Sequence, residues 1–292
     1  MSNSRKGIIL AGGSGSRLHP STLGISKQLI PLYDKPMIFY PLSVLMLAGI
    51  QEIAIIIKKE DYSNFYMLLN NGSQWGISID YIFQPSPDGL AQAYILANDF
   101  LHESPSAMIL GDNIFYGSNF GTLLEQANFS SGASIFGYQV KDPTAYGVVE
   151  FDKNGSIHLI HEKPKKPSSD YAVTGLYFLD NQASKKALNI EASERGELEI
   201  TSLLNMYIEE KNIEMFDLGR GFTWLDTGTY ENLYEATNFI RTQQIRQGFL
   251  IGCLEEIAFK QGWISRKDVE KRAYVFKSNS YGEYLKHIAS SS

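Results

Sequence analysis

Residues 7–20, "GIILAGGSGSRLHP", decide how the rest of the chain is read. Apolar positions lead into Gly12, Gly13 and Gly15, and Arg17 follows. An apolar run that breaks into glycines predicts a strand turning into a tight loop, whose backbone N–H groups can cradle phosphate oxygens. Two familiar phosphate loops do not fit. The P-loop needs Gly-Lys followed by Ser or Thr, and the dinucleotide fingerprint needs a third glycine where this chain has Leu18. The loop suits phosphate in another arrangement.

Outward from this loop, short apolar runs alternate with longer amphipathic ones. "GIILAGG", "EIAIIIKK" (52–59), "ISIDYIFQ" (77–84), "SAMILGD" (106–112) and "ASIFGYQV" (133–140) predict strands. Residues 36–50, 62–71, 89–102 and 119–128 have helical spacing between them. This βα rhythm predicts an α/β fold, a mostly parallel central sheet with helices on both faces. Ligands on such sheets bind beyond the carboxyl ends of the strands, where both the glycine loop and "GDN" fall. After residue 140 the rhythm changes. Alternating segments around Asn154-Gly155 predict a hairpin, "YAVTGLYFLD" and "IEMFDLG" add strands, and 181–190 and 197–211 read as helical. From 229 onward the pattern is helical. The expected organisation is an α/β domain over 1–240 and a helical extension over 241–292.

At 292 residues the chain can bury a sizeable core, and 43% apolar with 20% charged residues is the composition of a globular enzyme. A net charge of −6 argues against a nucleic-acid partner. The single Cys253 leaves no internal disulfide, and no Cys/His spacing resembles a zinc site. The start, "MSNSRKG", runs into a strand rather than a signal-peptide core. The longest uncharged stretch, 36–51, is too short and too broken to span a bilayer. A cytoplasmic location without a membrane partner is expected.

Charged and polar residues at the predicted strand ends carry the chemistry. Arg17 offers a planar fork for two phosphate oxygens, and Lys27 in "SKQLIPLYDKPM" a compact point charge. Asp112 closes "MILGD" and Asp226 closes "FTWLD". Each could simply cap the turn that follows. Two such carboxylates in a phosphate-loop chain favour magnesium, which takes a few carboxylates plus phosphate oxygens. Gln84, ending its strand in "QPSPDGLAQA", has the donor and acceptor needed to read a pyrimidine edge. In "HEKP", Glu162 suits sugar hydroxyls and Lys163 a sugar phosphate, against the competing reading of an exposed charge pair. Tyr146, Gly147, Val173, Tyr177 and Trp224 are candidates for a sugar pocket, although most strand aromatics belong to the core.

Taken together, these stretches resemble the sugar-1-phosphate nucleotidylyltransferases, and most closely those that make dTDP-glucose for deoxysugar synthesis. "GIILAGGSGSRLHPSTLGISKQLIPLYDKPMIFYPLS" is similar to the family signature. "QPSPDGLAQA", "GDNIFYG", "YGVVEFD", "EKP", "AVTGLYF", "RGELEIT" and "WLDTGT" follow in the family's order. The resemblance implies a nucleotide-diphospho-sugar transferase fold and Mg²⁺-dependent transfer of dTMP from dTTP to glucose 1-phosphate. It further implies that Leu10, Gly12, Gly13, Ser16, Gln28, Gln84, Gly89 and Asp112 hold the nucleotide, with Arg17 and Lys27 on the pyrophosphate portion. Asp112 and Asp226 would hold the metal. Tyr146, Gly147, Glu162, Lys163, Val173, Tyr177, Arg195 and Trp224 would face the sugar and its phosphate.

Three positions depart from the family pattern: Ser16 for Thr, His161 for a carboxylate, and Ser202 for Asp. No general base is needed, because the attacking phosphate oxygen is already anionic. Alignment and charge neutralisation by Arg17, Lys27, Lys163 and Mg²⁺ are the whole task. The rival readings are a UTP- or CTP-preferring enzyme, a catalytically silent nucleotide-sugar sensor and, last, a nicotinamide-binding dehydrogenase.

The tail poses a separate question. Leu233, Phe239, Ile240, Phe249, Leu250, Ile251, Leu254, Ile257, Phe259 and Trp263 are many apolar groups for an appendage to cover, so an oligomer interface is expected there. The resemblance implies a homotetramer with a regulatory pocket, for which Tyr116, Gly117, Glu256, Ile257 and Lys260 are the candidates.

Overall fold

In the computed structural model, which describes residues 4–290, the opening apolar run is a strand buried at the centre of a sheet. Along the chain the strands are β1 (Lys6–Leu10), β2 (Pro31–Leu32), β3 (Lys35–Pro36), β4 (Glu52–Ile57), β5 (Ser78–Phe83), β6 (Ser106–Leu110), β7 (Asn113–Tyr116), β8 (Ala133–Gln139), β9 (Gly147–Phe151), β10 (Ile157–Glu162), β11 (Tyr171–Leu179), β12 (Ile213–Asp217) and β13 (Thr223–Asp226). The helices are α1 (Phe39–Leu47), α2 (Tyr62–Leu69), α3 (Gln92–Leu96), α4 (Asn98–Leu101), α5 (Phe120–Phe129), α6 (Ala183–Ala187), α7 (Ile200–Glu209), α8 (Tyr230–Gln247), α9 (Leu254–Lys260), α10 (Arg266–Val275) and α11 (Ser280–Ser290).

β6, β1, β4 and β5 lie side by side, all parallel. Helices cover both faces, which is why these strands read as nearly continuous apolar runs. Alternate residues serve opposite cores. Ile9, Ile53 and Ile55 pack with Leu42, Phe65 and Phe120 on one face, while Ile8 and Ile56 pack with Tyr94, Leu203 and Tyr207 on the other.

β11 is the antiparallel exception, and it forks the sheet. Its carboxyl half, Leu176–Leu179, pairs with β6, whereas Ala172 and Val173 pair with β9 of the expected hairpin. β8 runs along the other side of β11, followed in parallel by β12. "GDNIFYG" was not legible as a strand, yet Asn113–Tyr116 is β7 and forms a ladder with β13. This ladder sets Asp226 opposite Asn113 and so brings residues 112 and 226 together.

The apolar residues of the tail have partners within their own chain. Ile240, Ile251 and Leu254 are buried, and the other seven apolar residues named above are partly buried against clusters of the same chain. α9 leans on α1, while α10 and α11 add a small core of Val269, Ala273, Leu285 and Ala289. The division drawn at residue 240 falls inside α8, which runs unbroken from Tyr230 to Gln247. A buried polar knot fastens its end. Lys35 Nζ donates to Asp34 Oδ1 (2.6 Å) and Gln244 Oε1 (3.2 Å), Gln244 Nε2 donates to Asp34 Oδ2 (2.9 Å), and Ile251 N–H donates to Gln244 Oε1 (2.9 Å). Among the described residues, no helix is long and apolar enough to cross a membrane.

Candidate active site

A cleft of about 600 Å³ opens beyond the carboxyl ends of β1 and β6 and extends under the β9–β10 hairpin. Leu10, Gly13, Ser16, Arg17, Lys27, Gln28, Gln84, Gly89, Asp112 and Asp226 line it. So do Tyr146, Gly147, Glu162, Lys163, Val173, Tyr177, Arg195 and Trp224. Gly12 is the exception among the residues expected here. A Cβ on it would sit 2.0 Å from Gln84 Oε1, so its part is to leave room for that amide.

The Gln84 amide is oriented by a relay. The Asp88 carboxylate accepts only, so Gln92 turns its Nε2 toward Asp88 Oδ2 (2.8 Å) and its Oε1 toward Gln84 Nε2 (2.8 Å). Gln84 Oε1 is left as a buried acceptor with no hydrogen-bond partner. Nearby, Gly89 has φ 108° and lies so close to Leu198 that a Cβ would be 2.4 Å from its carbonyl oxygen. That contact ties the Gln84 loop to the segment bearing Glu197 and Glu199.

At the phosphate loop, Gly15 turns the chain with φ 63° into a short 3₁₀ turn, Ser16–Leu18, that carries Arg17. Thr22 Oγ1 donates to the Gly15 carbonyl (2.7 Å), and Tyr230 Oη, from the start of α8, donates to the Leu18 carbonyl (2.8 Å). Lys27 is buried and pairs with Asp112 Oδ2 at 2.6 Å. Asp112 Oδ1 accepts from Asn113 Nδ2 (3.0 Å). Asn113 Oδ1 in turn accepts from Gly175 N–H (3.2 Å) and Trp224 Nε1–H (2.6 Å). The Thr227 hydroxyl donates to the Asp112 carbonyl (2.9 Å), fastening β13 to the end of β6. Burial, followed by the negative charge of Asp112, pushes the Asp226 carboxyl above the usual range, while Lys27 and Arg17 pull it back.

Farther along the cleft, Arg195 meets Glu197 (2.5 Å), Glu199 (3.2 Å) and Glu162 (4.0 Å). Lys163 lies 3.5 Å from Glu162, and Thr201 Oγ1 donates to Glu162 Oε2 (3.2 Å). Glu199 is buried; burial and the Glu162 charge raise its pKa. The Tyr146 and Trp224 rings stand 5.0 Å apart as a wall. His161 turns to Glu150 (2.6 Å) on the hairpin instead of lining the cleft.

Four of these residues were missed from the sequence: Asn113, Glu197, Glu199 and Thr201 all line the cleft. The signal for the glutamates was their alternation in "GELEIT", which puts both on one side of an extended segment. The regulatory candidates lie off the cleft. Tyr116 packs on Phe239 (5.5 Å) and Phe249 (6.5 Å), and Phe222 covers Gly117. Glu256 binds Lys260 and the Tyr284 hydroxyl, each at 2.6 Å, and Ile257 packs in the cluster of α1. Among the described residues, no hydrogen bond or ring contact joins Tyr116 or Gly117 to the α9 candidates.

A family profile described as nucleotidyl transferase matches residues 6–243, a span that includes every cleft residue above. The chain belongs to the nucleotidyl transferase family. This nucleotidyl transferase is 56% identical over 284 residues to a glucose-1-phosphate thymidylyltransferase of Neisseria gonorrhoeae, covering 97% of this chain and 99% of that one. It is 55% identical over 286 residues to the protein of the same name from Xanthomonas campestris, covering 98% and 97%. A solved Bacillus anthracis structure, assigned as a glucose-1-phosphate thymidylyltransferase and bound to sucrose, superposes with a TM-score of 0.75 at 37% identity, over 82% of this chain and 96% of that one.

Proposed function

We propose that this nucleotidyl transferase joins dTTP to α-D-glucose 1-phosphate, forming dTDP-glucose and pyrophosphate. The observation that carries the reading is one continuous cleft. Arg17, Lys27, Asp112 and Asp226 converge in it, beside a pocket walled by Glu162, Tyr177 and Trp224. The relatives named above support the choice of substrates.

Gln84 Oε1 needs a donor, and the N3–H of thymine or uracil is one. Cytosine carries an acceptor at N3 instead, and would leave two acceptors facing each other. The loop amides after Gly12 and the Arg17 fork would hold the leaving pyrophosphate portion, and Lys27 the phosphate nearest the reacting bond. Lys163 and Arg195 would bring in the sugar phosphate, while Glu162 takes sugar hydroxyls. The attacking oxygen is anionic, so these residues align it and share the developing charge without removing a proton.

Enzymes of this family generally use a divalent metal. Asp112 and Asp226 fit a hard cation: two carboxylates brought together, with the charge of Asp112 felt at Asp226, provide oxygen ligands that substrate phosphates can complete. Among the described residues, no group of three or more acidic, His or Cys side chains offers another such site. Mg²⁺ bound there would neutralise charge on the phosphates.

The test offers dTTP, UTP, CTP, GTP and ATP separately with glucose 1-phosphate and Mg²⁺ and measures the pyrophosphate released. dTTP is expected to be fastest and UTP second, since one methyl group separates them by only about 1–3 kcal/mol. A preference for CTP or a purine overturns the base assignment.

A further inference from the structure

Asp112 has two carboxylate oxygens, and they are held very differently. Oδ1 accepts from Asn113 Nδ2, and that amide cannot turn over. Its own oxygen is claimed by the Gly175 N–H and the Trp224 indole N–H, so the NH₂ group must face Asp112. Oδ2 is held by Lys27 Nζ at 2.6 Å, an ammonium on a flexible stem. A cation that binds Asp112 through Oδ2 therefore meets Lys27 there.

We propose that Lys27 and the divalent cation compete for Asp112 Oδ2, so that metal and nucleotide triphosphate bind as a coupled pair. The inference rests on the reading of Asp112 as a metal ligand. The charges around Asp112 explain the coupling. Arg17 and Lys27 already balance Asp112 and Asp226, so a dication arriving alone meets a neutral cluster. It also has to turn out the ammonium of a side chain that is only 7% exposed and therefore poorly placed to regain water. Asp226, the other acid facing Lys27, offers no refuge if the cation takes it as well. A triphosphate changes both terms: it brings several negative charges and gives Lys27 a new anionic partner. By linkage, the factor by which nucleotide raises metal affinity equals the factor by which metal raises nucleotide affinity.

The experiment titrates the full chain with Mn²⁺ and follows the free-ion paramagnetic resonance signal, with thermal melts to confirm that each variant is folded. Without nucleotide, Lys27→Met should bind Mn²⁺ about tenfold more tightly than the unaltered protein, a typical size for coupling between sites. Lys27→Gln should do the same and serves if the methionine variant does not fold. Lys27→Arg, which keeps the charge, should bind as weakly as the unaltered protein. Adding Asp112→Asn to Lys27→Met should remove the gain. Equal Mn²⁺ affinity in both neutral variants and the unaltered protein overturns the competition. If Asp112→Asn still weakens Mn²⁺ binding in the presence of dTTP, the metal-ligand reading survives that failure. If Asp112→Asn changes Mn²⁺ affinity neither with nor without dTTP, both fall.

Discussion

At the phosphate end of the cleft, two cations, Arg17 and Lys27, face two acids, Asp112 and Asp226; at the sugar end, Arg195 and Lys163 face Glu162, Glu197 and Glu199. The first cluster is balanced: its cations ride on short 3₁₀ turns, and its acids stand at the end of β13 and just past β6. The second has one more acid than base and is supported by β10 and the start of α7. The difference follows from the ligands each end is proposed to take. A polyanion with its dication needs a site that can exchange partners, whereas sugar hydroxyls need fixed acceptors. At the sugar end, an incoming phosphate has to win Arg195 from carboxylates already holding it.

Removing an acid from the balanced cluster should have the largest effect. Asp112→Asn and Asp226→Asn are each expected to lower turnover on the order of hundredfold or more, as for other losses of transition-state charge stabilisation. Asp226→Asn should change the melting temperature little, whereas Asp112→Asn, which leaves the buried Lys27 with a neutral partner, should lower it while the protein stays folded. Pyrophosphate release over a Mg²⁺ series checks this, and a variant with normal turnover and normal Mg²⁺ response would reduce that Asp to a cap. At the sugar end, Arg195→Ala should raise KM for glucose 1-phosphate about tenfold, the lower range for a lost bond to a charged group, and leave KM for dTTP alone. Initial rates with each substrate varied decide it; equal losses for both would erase the distinction between the ends. The smallest effect is expected from Tyr230→Phe, which deletes the hydroxyl bonded to the Leu18 carbonyl. A drop of about threefold in kcat/KM for dTTP, with KM for glucose 1-phosphate unchanged, would sharpen the contrast by placing the slack in the Arg17 turn.

The parallel half of the fold was legible because buried strands announce themselves as apolar runs, and the glycine loop because backbone bends need glycine. Asp112 and Asp226 were legible as strand ends. Their meeting was not, since it depends on β7, a four-residue strand whose pattern no local rule separates from a turn. Asn113 escaped for the same reason: its value lies in two donors, Gly175 and Trp224, far away in sequence. That Gly12 also leaves room for the Gln84 amide was not legible, because only the folded chain shows Gln84 above it.

The knot of Lys35, Asp34, Gln244 and the Ile251 N–H has a consequence for how the chain can be divided. Its members come from the hairpin of β2 and β3, from the last turn of α8 and from the link into α9, and each satisfies another inside the protein. A cut after α8 would remove the donor at Ile251. A cut before it would strand a buried ammonium beside Asp34 alone, and partly satisfied buried networks are worse than none. The knot therefore couples the hairpin of the signature segment to the link into the carboxyl-terminal helices. The last fifty residues are thus tied to the β2–β3 hairpin through Gln244 and Ile251, although none of them lines the cleft in which Lys27 lies.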